Sequence, residues 1–285
     1  AVMSLLRRSL DIALIRWPIL EVLVKNLYHR CHWVQRALAG VKRSSEPRAA
    51  GGYPIGNDAA KVDEFISACK AFGIRDGDVL LVHSTNAVCQ MLGISPSEMI
   101  STLRSIIGGG TLAMPCFPII KGAPKGTEKF DDSSYNERLI YNVQRSSPWT
   151  GILAKQLLQT SGSIRSRNPI NALVAIGSEA ENMMRDNLSE YCKPHGSGSS
   201  WHFCYENNAK VLLLDCDPAH TLTLVHLKED LAESEWPIPG DRWYRNRLFK
   251  VIDGDHIQDV TVLERRAEWN CYFAERRLED ELSRN

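Results

Sequence analysis

The chain has 285 residues, 44% hydrophobic, 24% charged and 8% aromatic, with no net charge. That balance suits a soluble body with a substantial core, in one large domain or two lobes. Charge is uneven: residues 1–43 hold eight Lys/Arg against Asp11 and Glu21, a net +6 that leaves −6 on the other 242 residues, and a mildly acidic body without a basic stripe excludes nucleic-acid binding. In chain order, residues 1–42 come first, as a basic amphipathic helical extension interrupted at Pro18. Its apolar positions recur at helical spacing, yet no uncharged stretch approaches the roughly 20 residues that span a bilayer. No small-residue cleavage site follows a short apolar run, which argues against a signal peptide. Two readings stay open for this arm: peripheral contact with an anionic membrane surface, and packing on its own body or on a second subunit of a homodimer.

Residues 43–57 read as a linker from their Ser, Pro and Gly content, and residues 58–285 as the main body. The body opens with a helix over Ala59–Phe72, stopped by Gly73, and Val79–Val82 is a buried strand candidate. Ser95-Pro96-Ser97-Glu98 has the pattern of a capped helix start, and Gly108-Gly109-Gly110 ends that helix before the strand Thr111–Met114. The triglycine run lacks the Lys-Ser/Thr of a phosphate loop and precedes a strand, so it reads as a helix stop. Apolar runs at Leu173–Ile176 and Val211–Leu214 continue a helix–strand alternation, which implies an α/β fold with a central sheet flanked by helices. Past Pro239-Gly240, strand candidates at Leu248–Ile252 and Val260–Leu263 lead into a charged terminal helix.

The eight cysteines contain no Cys-x-x-Cys pair, which speaks against structural zinc and a disulfide framework and for a reducing cytoplasm. Cys116, beside the candidate site, is the one to consider as a nucleophile. No His/Cys/Asp cluster has metal-ligand spacing, so no metal is expected.

Chemistry concentrates after the strand Val211–Leu214. There, Thr223, His226 and Glu229 fall three residues apart, and on a helix Glu229 can sit beside His226 and fix its tautomer. A solvated surface pair is the bland alternative; a proton-accepting site is the functional one. His83-Ser84-Thr85 stands at the carboxyl end of the first strand, where open α/β sheets bind ligands. Arg165 offers a guanidinium for phosphate, and His195 to His202 form a Gly/Ser-rich loop.

Taken together, Val82-His83-Ser84-Thr85, Gly109-Gly110-Thr111 to Pro115, Ser147-Pro148 to Gly151, Arg165-Ser166-Arg167-Asn168-Pro169, His195-Gly196 and Thr223 to Glu229 resemble, in order, the aminoglycoside 3-N-acetyltransferase family. The likeness runs from about Gly77 to Asp230. It implies a mixed central sheet, acetyl-CoA as acyl donor and a small-molecule amine as acceptor. His226 would be the general base and Glu229 its partner. Cofactor contacts would come from His83, Ser84, Thr85, Arg165, Ser166, Ser199 and Ser200. Substrate contacts would come from Asn168 and Thr223. Asn168 occupies a position where the family carries histidine, and an amide cannot serve as a base. Two other classes remain: an ester or amide hydrolase using the same His–Glu pair, and a catalytically silent binding protein. An aminoglycoside is a polycation and needs several carboxylates in its site.

Overall fold

A computed structural model of the chain describes residues 59–85, 87–235 and 240–267, with isolated positions 17, 23, 27 and 31. The expected helical extension, linker and charged terminal helix therefore lie outside the described residues, apart from those positions and the first residues after the linker.

The body opens with α1 (Ala59–Ala71) and passes to β1 (Val79–Ser84), α2 (Ala87–Leu92) and α3 (Pro96–Ile107). Ser95 caps α3: its hydroxyl accepts from the Glu98 N–H at 3.2 Å while the Glu98 carboxylate accepts from the Ser95 N–H at 2.7 Å. This reciprocal arrangement satisfies two amides that a helix start otherwise leaves unpaired. The helix stops at Gly108, whose φ of +50° suits a residue without Cβ. Then follow β2 (Thr111–Pro115), β3 (Leu139–Asn142), α4 (Ile152–Gln159), β4 (Ile164–Arg165), β5 (Leu173–Gly177) and α5 (Ala180–Met184). The chain continues through α6 (Ser200–Glu206), β6 (Lys210–Leu214), α7 (Pro218–Thr221), α8 (His226–Leu231), α9 (Gly240–Trp243), β7 (Tyr244–Asp253) and β8 (His256–Arg265).

Five strands form a mixed sheet in the order β4-β5-β2-β1-β6. β1 runs parallel to both β2 and β6, while β5 is antiparallel to β2 and to β4. Alternate residues of β1 face opposite layers. Leu80 and Val82 pack with Met99, Leu103, Ile107, Leu153 and Leu157 from α3 and α4. Val79 and Leu81 pack with Met183, Trp201, Cys204 and Leu227 on the other side. A strand covered on both faces has to read as an uninterrupted apolar run, which is why Val79–Val82 stands out in the sequence.

A second, three-stranded sheet, β3-β7-β8, adds to the single sheet expected. Its long β7–β8 hairpin extends the strands read at Leu248–Ile252 and Val260–Leu263 at both ends. Leu139, Tyr141, Phe249, Val251, Val260 and Val262 give it a core of its own. The Tyr141 hydroxyl donates to Ser166 O at 2.7 Å and ties this sheet to the segment after β4.

Candidate active site

Because β1, β2 and β6 run in register in one direction, their carboxyl ends open together. A cavity of about 170 Å³ lies there, lined by Val82, His83, Ser84, Met114, Pro115, Phe117, Trp149, Thr150, Ala154, Cys216, Thr221 and Thr223. Its wall is mostly apolar, with Phe117 and Trp149 in edge-to-face contact at 5.4 Å. His83 is buried and its Nε2 has no hydrogen-bond partner among the described residues. Burial lowers its pKa from 6.5 to about 4, so the ring is neutral at pH 7. Thr85 turns instead to Asp215, donating to Oδ2 at 2.6 Å, and accepts from the Ala87 N–H.

Thr223, on that wall, stands three residues before His226, on the wall of a neighbouring polar cleft. The cleft is lined by Ile170, Asn171, Pro194, His195, His226, Asp230, Tyr244, Glu264 and Arg265. A short turn over Thr223–Val225 leads into α8, whose Leu227 and Asp230 point inward while His226 and Glu229 stay about one-third exposed. His226 Nδ1 lies 2.7 Å from Glu229 Oε2. A proton on Nδ1 satisfies that contact and leaves Nε2 with its lone pair free. The Arg265 guanidinium, from the end of β8, reaches Glu229 Oε2 at 2.5 Å and Asp230 Oδ1 at 3.4 Å. Burial works against the charged form of Glu229, but the hydrogen bond to His226 and the Arg265 charge outweigh it and lower its pKa.

A second imidazole–carboxylate pair lies behind the first. Asp230 Oδ2 accepts from the His195 N–H at 3.0 Å and meets His195 Nδ1 at 3.1 Å, while the Tyr244 hydroxyl donates to Oδ1. Burial disfavours the Asp230 anion. The bonds from His195 and Tyr244 and the charge of Arg265 overcome that cost and bring its pKa to about 2. His195 is also buried, and burial lowers its pKa despite the Asp230 charge. Its Nε2 meets Asn171 Nδ2 at 3.1 Å, and the two histidine rings are 5.5 Å apart.

The other residues singled out in the sequence hold the frame. Arg165 is buried, with Nε on Cys116 O at 3.0 Å and Nη1 on Val143 O at 3.2 Å and Ser146 O at 2.5 Å. Ser166 Oγ accepts from the Asn168 N–H at 3.1 Å. Asn168 accepts from the Ile170 N–H at 2.9 Å and donates to Cys192 Sγ. These bonds fix the turn that presents Ile170 and Asn171 to the cleft, with Asn171 at φ +51° and its carbonyl accepting from the Trp201 indole at 2.7 Å. Ser199 caps α6 by accepting from the His202 N–H, and Ser200 is buried beside it; neither stands on the wall of the cavity or the polar cleft.

His195, Tyr244 and Arg265 lie outside the candidate site residues. The His195-Gly196 motif was a visible signal for one of them. Nothing in the spacing linked Arg265 to a helix some 35 residues earlier. Cys116 is fully buried and its thiol pKa is pushed up to about 11, which removes it as a nucleophile. Among the described residues, no group of three or more His, Cys, Asp or Glu could hold a metal ion.

This fold is shared by solved acetyltransferases. A structure described as AAC-IIIb binary with CoASH is 25% identical, with a TM-score of 0.59 over 78% of this chain and 84% of that one. A family model described as aminoglycoside 3-N-acetyltransferase matches residues 81–284. The chain belongs to that family of N-acetyltransferase enzymes. Aminoglycoside N(3)-acetyltransferase VII of Streptomyces paromomycinus is 27% identical over 195 residues, 66% of this chain and 65% of that protein. Aminoglycoside N(3)-acetyltransferase IX of Micromonospora chalcea is 28% identical over 215 residues, 69% of this chain and 74% of its own.

Proposed function

We propose that the chain transfers an acyl group, most simply acetyl, from coenzyme A to an amine of an amino sugar or aminoglycoside, with His226 as general base. The observation that carries this reading is the 2.7 Å His226–Glu229 contact beside the cavity at the strand ends. The lining of the cavity suits a pantetheine arm: its wall is mostly apolar, and the unpartnered Nε2 of His83 is a polar atom that an amide of the arm can satisfy. Ser84 and Thr223 stand on the same wall. The relatives' names place their acceptors among aminoglycosides.

An acyl thioester is already activated, so the site needs no covalent intermediate. A sugar amine with a pKa near 8 is only about a tenth neutral at pH 7, and a positioned base contributes roughly 10²–10⁴ in rate. His226 Nε2 takes the amine proton as nitrogen attacks the thioester carbon. Glu229, on Nδ1, stabilises the imidazolium. The C–S bond then breaks, and the proton leaves with the thiol. We assign the reaction to residues 58–285, with the basic arm of residues 1–42 as the segment for a membrane surface or a second subunit.

His226→Ala is expected to abolish amine-dependent thiol release from acetyl-CoA while leaving coenzyme A affinity unchanged. Normal turnover by this variant would overturn the assignment. Thiol release without any amine would identify a hydrolase, and coenzyme A binding without thiol release a silent binder.

A further inference from the structure

We propose that the acceptor carries an anionic group, a phosphate or carboxylate, beside the amine that is acylated, and that Arg247, Lys125 and Lys129 receive it. This rests on acyl transfer at His226 and names the kind of acceptor. From the polar cleft, a larger cavity of about 390 Å³ continues past Ile170, Asn171, Glu264 and Arg265, which line both. Four cations stand on its wall, Lys125, Lys129, Arg247 and Arg265, against a single carboxylate, Glu264. Arg265 is already engaged by Glu229 and Asp230. Glu264 is taken by Arg247, with Nε 2.7 Å from Oε2, so three cations share one anion.

Arg247 is a built feature rather than a surface charge. Its residue is only 2% exposed, its guanidinium lies 4.4 Å from the centre of the Tyr135 ring, and its Nη1 has no hydrogen-bond partner among the described residues. Arg245 lies 4.0 Å from the same ring. A buried guanidinium with an unpartnered nitrogen has a donor left for a phosphate or carboxylate oxygen. A polycation entering the same space would find its ammonium groups beside like charges, with no free carboxylate on the wall. The positive side of the cavity thus selects against the multiply charged amines that the relatives are named for.

The test is calorimetric titration of the full chain, saturated with coenzyme A, with glucosamine, glucosamine 6-phosphate and the polyamine sugar neamine, alongside thiol release with acetyl-CoA. Glucosamine 6-phosphate is expected to bind about tenfold more tightly than glucosamine, with a preference that shrinks as salt rises. Replacing both exposed lysines, Lys125→Glu with Lys129→Glu, should erase the preference without changing the KM for acetyl-CoA. Arg247→Gln should do the same, and the surface pair keeps the test open if that buried change impairs folding. Equal or weaker binding of the phosphate sugar, including no binding at all, overturns the proposal. So does a raised KM for acetyl-CoA in the lysine variant, which would assign these cations to the phosphates of coenzyme A. A retained phosphate preference with no thiol release would overturn acyl transfer and leave the anion site standing.

Discussion

In the proposed reaction, the contact between Glu229 Oε2 and His226 Nδ1 favours the tautomer protonated on Nδ1, which leaves Nε2 to take the proton. Glu229→Gln retains a hydrogen bond but not the charge that, in the proposed reaction, steadies the imidazolium. It is expected to lower kcat by about 10² with little change in the KM for acetyl-CoA, read from initial rates of thiol release. An equal loss from a rise in KM alone would point to a binding role. Of this pair, the sequence showed both members through a three-residue spacing. It could not show Arg265, whose approach to Glu229 depends on how the β7–β8 hairpin lies against α8. Arg165 is the opposite case: a loop arginine reads as a phosphate ligand, yet this one spends its donors on the carbonyls of Cys116, Val143 and Ser146. Burial decides between those roles, and spacing does not encode it.

α8 has only six residues, too few to be stable by itself, and it is held through its inward face. Asp230 is the main fastening: it joins α8 to the loop at His195, to Tyr244 at the start of β7 and to Arg265 at the end of β8. Its folded pKa of about 2 is below the ordinary value of 3.8, so the unfolded chain takes up the proton first as pH falls. The stability this carboxylate contributes is complete above pH 4 and is lost as pH drops toward 2, amounting to about 2 kcal/mol. Urea midpoints measured across that window should fall more steeply for the wild type than for Asp230→Asn; parallel curves would show that Asp230 is not held this way. The elements themselves were largely legible: continuous apolar runs gave β1, β2, β5 and β6, and Ser95 with Glu98 marked the start of α3. β3 was not, since Leu139–Asn142 is four residues long, alternates buried with exposed or partly exposed positions and pairs with a strand more than 100 residues later.

At the scale of the whole molecule, the cavity at the strand ends and the polar cleft belong to different layers. The first is built on the five-stranded sheet, and the second is closed by residues of the hairpin. A donor seated in the first should stabilise the fold independently of chemistry in the second. Coenzyme A at about 100 times its Kd is expected to add about 2.7 kcal/mol and raise Tm by on the order of 5 °C. The His226→Ala variant should keep that rise in a thermal melt; its disappearance would mean that His226 helps to hold the donor. The sequence pointed to the first cavity through His83 and Ser84 and to the cleft through His226, but not to the hairpin side of the cleft, because Tyr244, Glu264 and Arg265 come from strands whose docking is a tertiary matter.

The fork of Arg265 spans the carboxylates of both imidazole pairs. One cation therefore sets the electrical environment of two histidines, and neither ring can be retuned in isolation. A substitution that moved this arginine by an ångström would alter the proton economy of the front pair and the anchorage of the rear pair together. Divergence of acceptor choice in this protein is thus expected to leave position 265 alone and to proceed through the outer cations instead.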